Sequence, residues 1–202
     1  MLLLAVPGAP AAQDVLAALE KAGRELKTMQ ADFQQTKVIT LLDEQEAAAG
    51  RVLLQVPGRL RWDYTRPQPS VLLIKDGRFS RYFPGSKQLF RGMAKGEADL
   101  LVGFGPGAAP LDEKYEVTLI GDEAVGELRT HVLDLRPRAG REGLFASIRL
   151  WVDARRYVPV QTRLTEPTGD HTTIRFEHVR LNERLARDAF ELKVPADTVE
   201  AP

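Results

Sequence analysis

The chain has 202 residues, 44% of them hydrophobic, and it contains no cysteine. This length suits a single domain that buries its core without disulfide or metal cross-links. The 28 basic and 28 acidic side chains cancel, so no excess charge favours nucleic acid or an anionic bilayer as a partner. We therefore expect no nucleic-acid binding.

Residues 1–12 predict the remnant of a secretory signal peptide. A short apolar run at 2–6 is followed by a Pro-Gly pair and small residues, which is typical of the end of such a signal, with cleavage near Ala12. An unstructured apolar tail is the alternative interpretation. No later stretch has the roughly 18 to 20 apolar residues that cross a bilayer. We therefore expect an exported, soluble protein with a single domain over residues 13–202.

Residues 13–30 have the periodicity of an amphipathic helix. Apolar side chains recur at alternating steps of four and three residues, which places them on one stripe. The stripe consists of Val15, Leu19, Ala22, Leu26 and Met29. It fits a helix packed on a core, and equally a helix that closes over a ligand cavity. A second, short helix is predicted over residues 97–102, before a glycine-rich break at 103–107.

From residue 31 onward the dominant period is two. About eleven short segments alternate apolar and polar residues and are separated by turn residues, which predicts hairpin-connected antiparallel strands. The segments span residues 31–39, 50–56, 59–65, 71–75, 78–83, 87–91, 115–120, 127–135, 145–152, 157–164 and 171–180. One face of such a sheet is apolar and has to be covered. The pattern leaves two architectures open, a closed sandwich and a partly open barrel with a helical lid over a cavity.

Residues that could carry chemistry are few. The three histidines are His131, His171 and His178, and the last two are seven residues apart in one predicted strand, so they face opposite sides and form no local metal pair. No serine lies in a nucleophile elbow, and no HExxH or phosphate-loop motif occurs. We therefore expect no catalytic residue, no metal and no cofactor, with a hydrolase of unrecognised site as an alternative.

Several segments occur in an order that is known from one protein family. They are the amphipathic helix that runs into residues 31–36, the stretch 50–64 with its Pro-Gly-x-x-Arg-Trp-x-Tyr run, the Asp-Gly hairpin at 76–77, residues 152–159 and the closing residues 190–195. In these segments the chain resembles the periplasmic outer-membrane lipoprotein carrier proteins (LolA-like proteins). The resemblance covers nearly the whole chain after residue 12.

The resemblance implies a mainly β fold with a few helices, namely a half-open antiparallel β-barrel of about eleven strands with a helical lid over an apolar cavity. It also implies a periplasmic, non-enzymatic carrier that binds the acyl chains of lipoproteins. Its partners would be acylated lipoproteins, an inner-membrane lipoprotein-releasing ABC transporter and an outer-membrane acceptor lipoprotein, and we expect it to act as a monomer. The family's acceptor is itself anchored through an N-terminal cysteine, so a chain without cysteine fits the soluble carrier.

Alternating apolar positions of the predicted strands are expected to line the acyl-chain cavity. They are Val52, Leu54, Leu60, Trp62, Tyr64, Ile148, Leu150, Val152, Ile174 and Phe176. Apolar positions of the predicted helices are expected to form the lid, namely Leu16, Leu19, Leu100, Leu101 and Phe104. Each of these side chains fits ordinary core packing equally well.

One position departs from the family's pattern. The residue before the proline of the Pro-x-x-x-x-Trp run is basic in the family and ties the barrel to its lid, whereas this chain has Val56. The sequence therefore leaves open how the lid is held. A lipid- or lipoprotein-sensing regulatory module of envelope stress, and a carrier of glycolipid, also stay open as functions.

Overall fold

The structure, a computed structural model, describes residues 11–94, 110–140 and 143–201. These residues form two helices, α1 (Ala12–Glu25) and α2 (Leu111–Lys114). Their strands are β1 (Thr28–Ile39), β2 (Glu44–Gln55), β3 (Arg59–Arg66), β4 (Ser70–Lys75), β5 (Arg78–Phe83), β6 (Gln88–Met93), β7 (Tyr115–Val125), β8 (Leu128–Pro137), β9 (Ser147–Asp153), β10 (Pro159–Thr165), β11 (His171–Leu181) and β12 (Val199–Ala201). Neither helix in this part of the chain is long and apolar enough to cross a membrane.

The twelve described strands form one sheet, in the order β12-β6-β5-β4-β3-β2-β1-β11-β10-β9-β8-β7. Neighbouring strands are antiparallel, except that β12 runs parallel to β6. The first long strand lies beside the eleventh at the centre of the sheet, while β7 and β12 lie at its two ends. The sheet is open and curled, which confirms the predicted half-open antiparallel β architecture.

The inner face of the curled sheet is apolar, as the period of two predicts. Val52, Trp62 and Leu72 face one another across β2, β3 and β4 and are all buried. They belong to one continuous set of buried apolar residues, here called the core cluster. Its members are Val15, Leu16, Leu19, Leu26, Met29, Ala31, Phe33, Val52, Leu54, Leu60, Trp62, Leu72, Ile74, Leu111, Leu133, Leu135, Ile148, Leu150, Val152, Val158, Leu164, Ile174 and Phe176.

The intervening positions give the outer face a polar character. Arg61 and Asp63 flank Trp62 on β3, and the Arg61 Nε lies 2.9 Å from an Asp63 carboxylate oxygen. A small second cluster of buried apolar residues also packs together. It consists of Val125, Val132, Trp151 and Val160. The sheet therefore has one large apolar face, covered in part by α1, and an outer face that carries charged side chains together with this small second cluster.

Helix α1 is shorter than the periodicity predicts. It ends at Glu25, and β1 begins at Thr28, so Met29 lies on the strand opposite Leu54 and not on the helix. The misleading signal is that Met29 fits both patterns, since it also starts an alternation of apolar residues that continues to Phe33. The prediction of a helix through residue 30 was wrong, because the alternation with a period of two that follows determines the structure at Met29.

The extent of the sheet also differs from the prediction. Strand β2 begins at Glu44 instead of residue 50, because β1 and β2 pair without interruption as far as Ile39 opposite Glu44. No strand is predicted after residue 180, yet Val199–Ala201 adds a twelfth strand beside β6. Both segments are largely exposed, so they lack the buried alternation that marks a strand in sequence. The predicted helix at 97–102 lies outside the described residues.

Candidate functional site

The structure brings the predicted cavity-lining residues together on the inner face. Nine of the ten are at most 9% exposed and belong to the core cluster. The nine are Val52, Leu54, Leu60, Trp62, Ile148, Leu150, Val152, Ile174 and Phe176. The tenth, Tyr64, is half-buried and packs against the same cluster. They therefore form a single apolar surface, and their contact with a bound acyl chain stays a prediction.

Helix α1 covers part of this surface. Of the predicted lid residues, Leu16 and Leu19 are 7% and 1% exposed and lie in the core cluster together with Val15. The remaining predicted lid residues, Leu100, Leu101 and Phe104, lie outside the described residues. Because residues of the core cluster are shielded from solvent, an acyl chain reaches them only if part of their cover moves.

A group of aromatic rings lies within the cluster. The Trp62 and Phe33 rings meet edge-on at a centroid distance of 4.6 Å, and Phe33 meets Tyr64 in the same way at 5.1 Å. The Phe176 ring lies 6.2 Å from Trp62. Such edge-on pairs are favourable beyond the area that they bury, so these rings form a fixed part of the surface, built from β1, β3 and β11.

Polar side chains accompany the aromatic group at Tyr64. The Tyr64 hydroxyl donates a long hydrogen bond to Gln35 Oε1 at 3.5 Å, and the Arg81 guanidinium lies 5.9 Å from the centre of the Tyr64 ring. Burial raises the pKa of Tyr64 above its ordinary value, and the positive charge of Arg81 only partly opposes this effect. Tyr64 is uncharged at neutral pH at its ordinary pKa, and the raised pKa keeps it so.

The middle of α1 is held by a residue that the sequence analysis did not single out. Glu20 Oε1 accepts a hydrogen bond from the backbone N–H of Leu111, at the start of α2, over 2.9 Å. Leu111 is itself buried in the core cluster. Glu20 therefore joins α1 to α2 across 91 residues of sequence, and no local pattern could have indicated this contact.

The end of α1 is held by Asn182, which follows β11. The Asn182 side chain donates to the carbonyl of Glu25 over 3.3 Å and accepts from the N–H of Lys27 over 2.7 Å. The first of these bonds satisfies a carbonyl that the end of a helix otherwise leaves unpaired, and the second fixes the connection between α1 and β1. A hint was present in the sequence, because asparagine is one of the few residues that tolerate the positive φ of 58° found here.

The side chain of Val56 makes no polar contact of the kind that the basic residue makes in the family's pattern. Its side chain packs against the core cluster, and its backbone N–H donates to the carbonyl of Lys27 over 2.9 Å. The contacts of Glu20 and Asn182 therefore provide side-chain hydrogen bonds that hold α1 in place. Neither involves position 56.

The turn between β9 and β10 depends on Asp153. Its side chain is buried, and its carboxylate accepts hydrogen bonds from the N–H groups of Arg155 (2.8 Å) and Arg156 (3.2 Å) and from Arg156 Nε (2.9 Å). Burial by itself raises the pKa of Asp153, but the hydrogen bonds and the Arg156 charge outweigh burial, so the pKa lies below its ordinary value. The carboxylate therefore fixes the end of the strand that carries Leu150.

Two of the three histidines, His131 and His178, each pair with an aspartate. His131 Nδ1 lies 2.6 Å from Asp122 Oδ1, and the hydrogen bonds from His131 and Arg129 hold the pKa of Asp122 below its ordinary value. His178 Nδ1 pairs with Asp32 on the exposed side of the sheet, over 2.9 Å. Within residues 11–94, 110–140 and 143–201, no three His, Asp or Glu side chains are grouped so as to hold a metal ion.

An open curled sheet whose apolar face is closed by a helix defines the class of half-open β-barrels with an apolar interior. Comparison with known proteins identifies the family within that class. The model of the outer membrane lipoprotein carrier protein LolA matches residues 24–193, and the chain belongs to this family.

Two relatives agree with this assignment, and one solved structure shares the fold. An outer-membrane lipoprotein carrier protein of Chromobacterium violaceum is 30% identical over 198 residues, which cover 95% of this chain and 90% of that protein. A protein of the same description from Xanthomonas oryzae pv. oryzae is 28% identical over 183 residues, covering 88% and 82%. An uncharacterized conserved protein from Thermus thermophilus has the same fold, with a TM-score of 0.62 at 15% identity and coverage of 94% and 98%.

The contact between Glu20 and Leu111 leads to a first prediction. Glu20→Ala removes a hydrogen bond to a carboxylate that is only 16% exposed, and such a bond contributes about 1–2 kcal/mol here. We expect amide hydrogen exchange in α1 to accelerate roughly 5- to 30-fold. Exchange in the central strands is expected to stay unchanged, since the sheet keeps its ladders.

Arg24→Ala provides the matched control. Arg24 lies on the same helix, 3.9 Å from the Glu20 carboxylate, but its side chain is 57% exposed, and an exposed ion pair contributes little. We expect exchange in α1 to change much less than in Glu20→Ala. Equal acceleration in the two variants would mean that the bond to Leu111 does not hold the helix.

The carboxylate of Asp153 leads to a prediction about pH. A carboxyl group whose pKa is lowered by folding stabilises the protein above the ordinary carboxyl pKa, and this contribution is lost as the pH falls through the lowered value. Asp153→Asn should therefore lower the free energy of unfolding at pH 7 by about 1–3 kcal/mol. The difference from the parent protein should narrow as the pH falls below the ordinary carboxyl pKa of about 4 and through the lowered pKa of Asp153. Urea unfolding at each pH measures the free energy of unfolding of both proteins. A difference between them that does not depend on pH contradicts this role of the carboxylate.

Proposed function

We propose that the protein carries the acyl chains of lipoproteins through the periplasm, from an inner-membrane lipoprotein-releasing ABC transporter to an outer-membrane acceptor. The observation that carries the proposal is the core cluster, a continuous apolar surface that spans an open sheet and is covered by a helix held through a few hydrogen bonds. Membership in the lipoprotein carrier family supports the same function.

The energetics of the transfer explain why a carrier is needed. Exposing an acyl chain to water costs about 0.8 kcal/mol per methylene, so one chain of about 15 methylenes costs on the order of 12 kcal/mol. Spontaneous transfer between membranes is correspondingly slow. A protein that offers an equivalent apolar surface removes this barrier without any covalent step. The proposed role is therefore non-enzymatic and uses no cofactor.

Opening of the cover is the step that the carrier has to perform. The strands of the sheet are held by continuous backbone ladders, as between β1 and β2, whereas α1 has 14 residues and is fixed by the contacts of Glu20 and Asn182. The least stable element opens first, so we assign the lid to α1. Leu16 and Leu19 would leave the core cluster when the lid opens.

The apolar strand residues of the inner face would then contact the acyl chains. We assign this role to the ten predicted residues of β2, β3, β9 and β11, and a further part of the lid to Leu100, Leu101 and Phe104. Nonpolar contact of this kind is not directional, which suits a carrier that has to accept different chains and release them again.

The proposal is tested by release of a lipoprotein from membranes. Purified protein is incubated with inner-membrane vesicles that contain the transporter and a triacylated lipoprotein, and the soluble fraction is separated. We expect the lipoprotein to appear there in a one-to-one complex with the carrier. If it stays in the membrane at every carrier concentration, while the carrier is folded, the proposed function is wrong.

A pair of leucine variants tests which surface binds the acyl chains. Leu150 is fully buried on β9, whereas Leu41 is 92% exposed. We expect Leu150→Glu to abolish release while near-UV circular dichroism still reports a folded protein, because an ionised carboxylate opposes acyl binding. Leu41→Glu should release lipoprotein like the parent protein. If Leu150→Glu unfolds outright, Leu150 belongs to rigid packing and its assignment to the binding surface fails.

A further inference from the structure

Two polar groups on the inner face have no hydrogen-bond partner among the described residues. They are the indole N–H of Trp62, on β3, and the hydroxyl of Thr162, on β10. Trp62 is 1% exposed and Thr162 is 0% exposed. A buried polar group without a partner costs free energy, so each of them calls for a physical explanation.

Both groups belong to the surface that is proposed to bind acyl chains. Trp62 is a member of the core cluster. Thr162 pairs directly with Leu150 on one side and with Ile174 on the other, and residues that face each other in antiparallel strands point to the same side of the sheet. The Thr162 side chain therefore shares the face of these two cluster residues.

The indole N–H of the other tryptophan, Trp151, has a hydrogen-bond partner. Trp151 Nε1 donates to Glu123 Oε2 over 2.7 Å. Trp62 packs edge-on against Phe33 at 4.6 Å, a contact that a phenylalanine could also make without burying an unpaired N–H. Retaining an indole at position 62 is explained if a partner is present in another state of the protein.

We propose that the Trp62 N–H and, at a separate point on the same face of the sheet, the Thr162 hydroxyl each donate a hydrogen bond to the carbonyl oxygen of an acyl ester. An indole N–H can only donate, so its partner has to be an acceptor that enters the apolar interior. An alkyl chain offers none, and the ester carbonyl is the acceptor joined directly to that chain. This inference rests on the proposed function and adds a chemical selectivity to it.

The strength of such a bond suits a carrier. A neutral hydrogen bond of this kind changes affinity by about 2- to 12-fold. It therefore distinguishes an ester-linked chain from a bare hydrocarbon without preventing release. The Phe33 ring fixes the indole, so the donor is already oriented before the ligand arrives.

The indole resonances of the protein test the proposal directly. The chain has 2 tryptophans, so ¹⁵N labelling of the indoles gives two Nε1–H signals, and the Trp151 signal serves as an internal control. The protein is titrated with methyl laurate and, separately, with n-tridecane, a ligand of similar length without an acceptor. We expect methyl laurate to move the Trp62 signal downfield and tridecane to leave it without this shift. The Trp151 signal should stay in place with both.

Two conservative variants complete the test. Trp62→Phe and Thr162→Val remove the donors and keep the apolar contact, and each should weaken binding of methyl laurate about 2- to 12-fold and leave the affinity for tridecane unchanged. If both ligands bind, but the Trp62 signal does not distinguish them or the variants weaken both equally, the inference is wrong while the proposed function stands. If neither ligand binds, the proposed function fails and the inference fails with it.

Discussion

The apolar face of a sheet that does not close on itself has to be covered, and the rest of this structure depends on that requirement. In a sandwich a second sheet provides the cover, whereas here the described strands form a single curled sheet. Part of the cover therefore comes from α1, whose Val15 and Leu19 are almost fully buried against strand residues. A helix held to a sheet by side-chain packing and a few hydrogen bonds separates at lower cost than two paired strands. This difference gives the fold one element that is suited to open.

The side-chain hydrogen bonds that hold the cover come from residues distant in sequence. Glu20 reaches Leu111, and Asn182 reaches both Glu25 and Lys27. The small number of these hydrogen bonds matters, because a carrier must keep its interior closed when it is empty and yet open it at a membrane. Acyl burial supplies a large favourable free energy, whereas each of these bonds contributes only a small one. The same applies to the proposed donors of the interior, the Trp62 N–H and the Thr162 hydroxyl, because a weak hydrogen bond adds selectivity without fixing the ligand.

Alternation of apolar and polar residues is a local property, so the sequence predicted the strands and the shared face of their apolar residues. The choice of a half-open barrel over a sandwich came from the family resemblance. Val52, Trp62 and Leu150 lie where that alternation placed them. It did not predict where α1 ends, since Met29 satisfies both periods. It also could not predict the contacts of Glu20 and Asn182, which depend on how distant segments meet. The unpaired N–H of Trp62 is invisible in sequence for the same reason, because its lack of a partner is a property of the packed interior.

In the proposed function, α1 moves away from the core cluster when an acyl chain enters. Because the chain has no cysteine, spin labels can be placed on two introduced cysteines, one at the exposed Lys21 on α1 and one at the exposed Asp76 in the turn after β4. The distance between the labels is measured by double electron–electron resonance in the empty protein and in its soluble complex with a triacylated lipoprotein. We expect a new population at longer distance in the complex. An unchanged distance distribution, in a sample shown to contain bound lipoprotein, would contradict the claim.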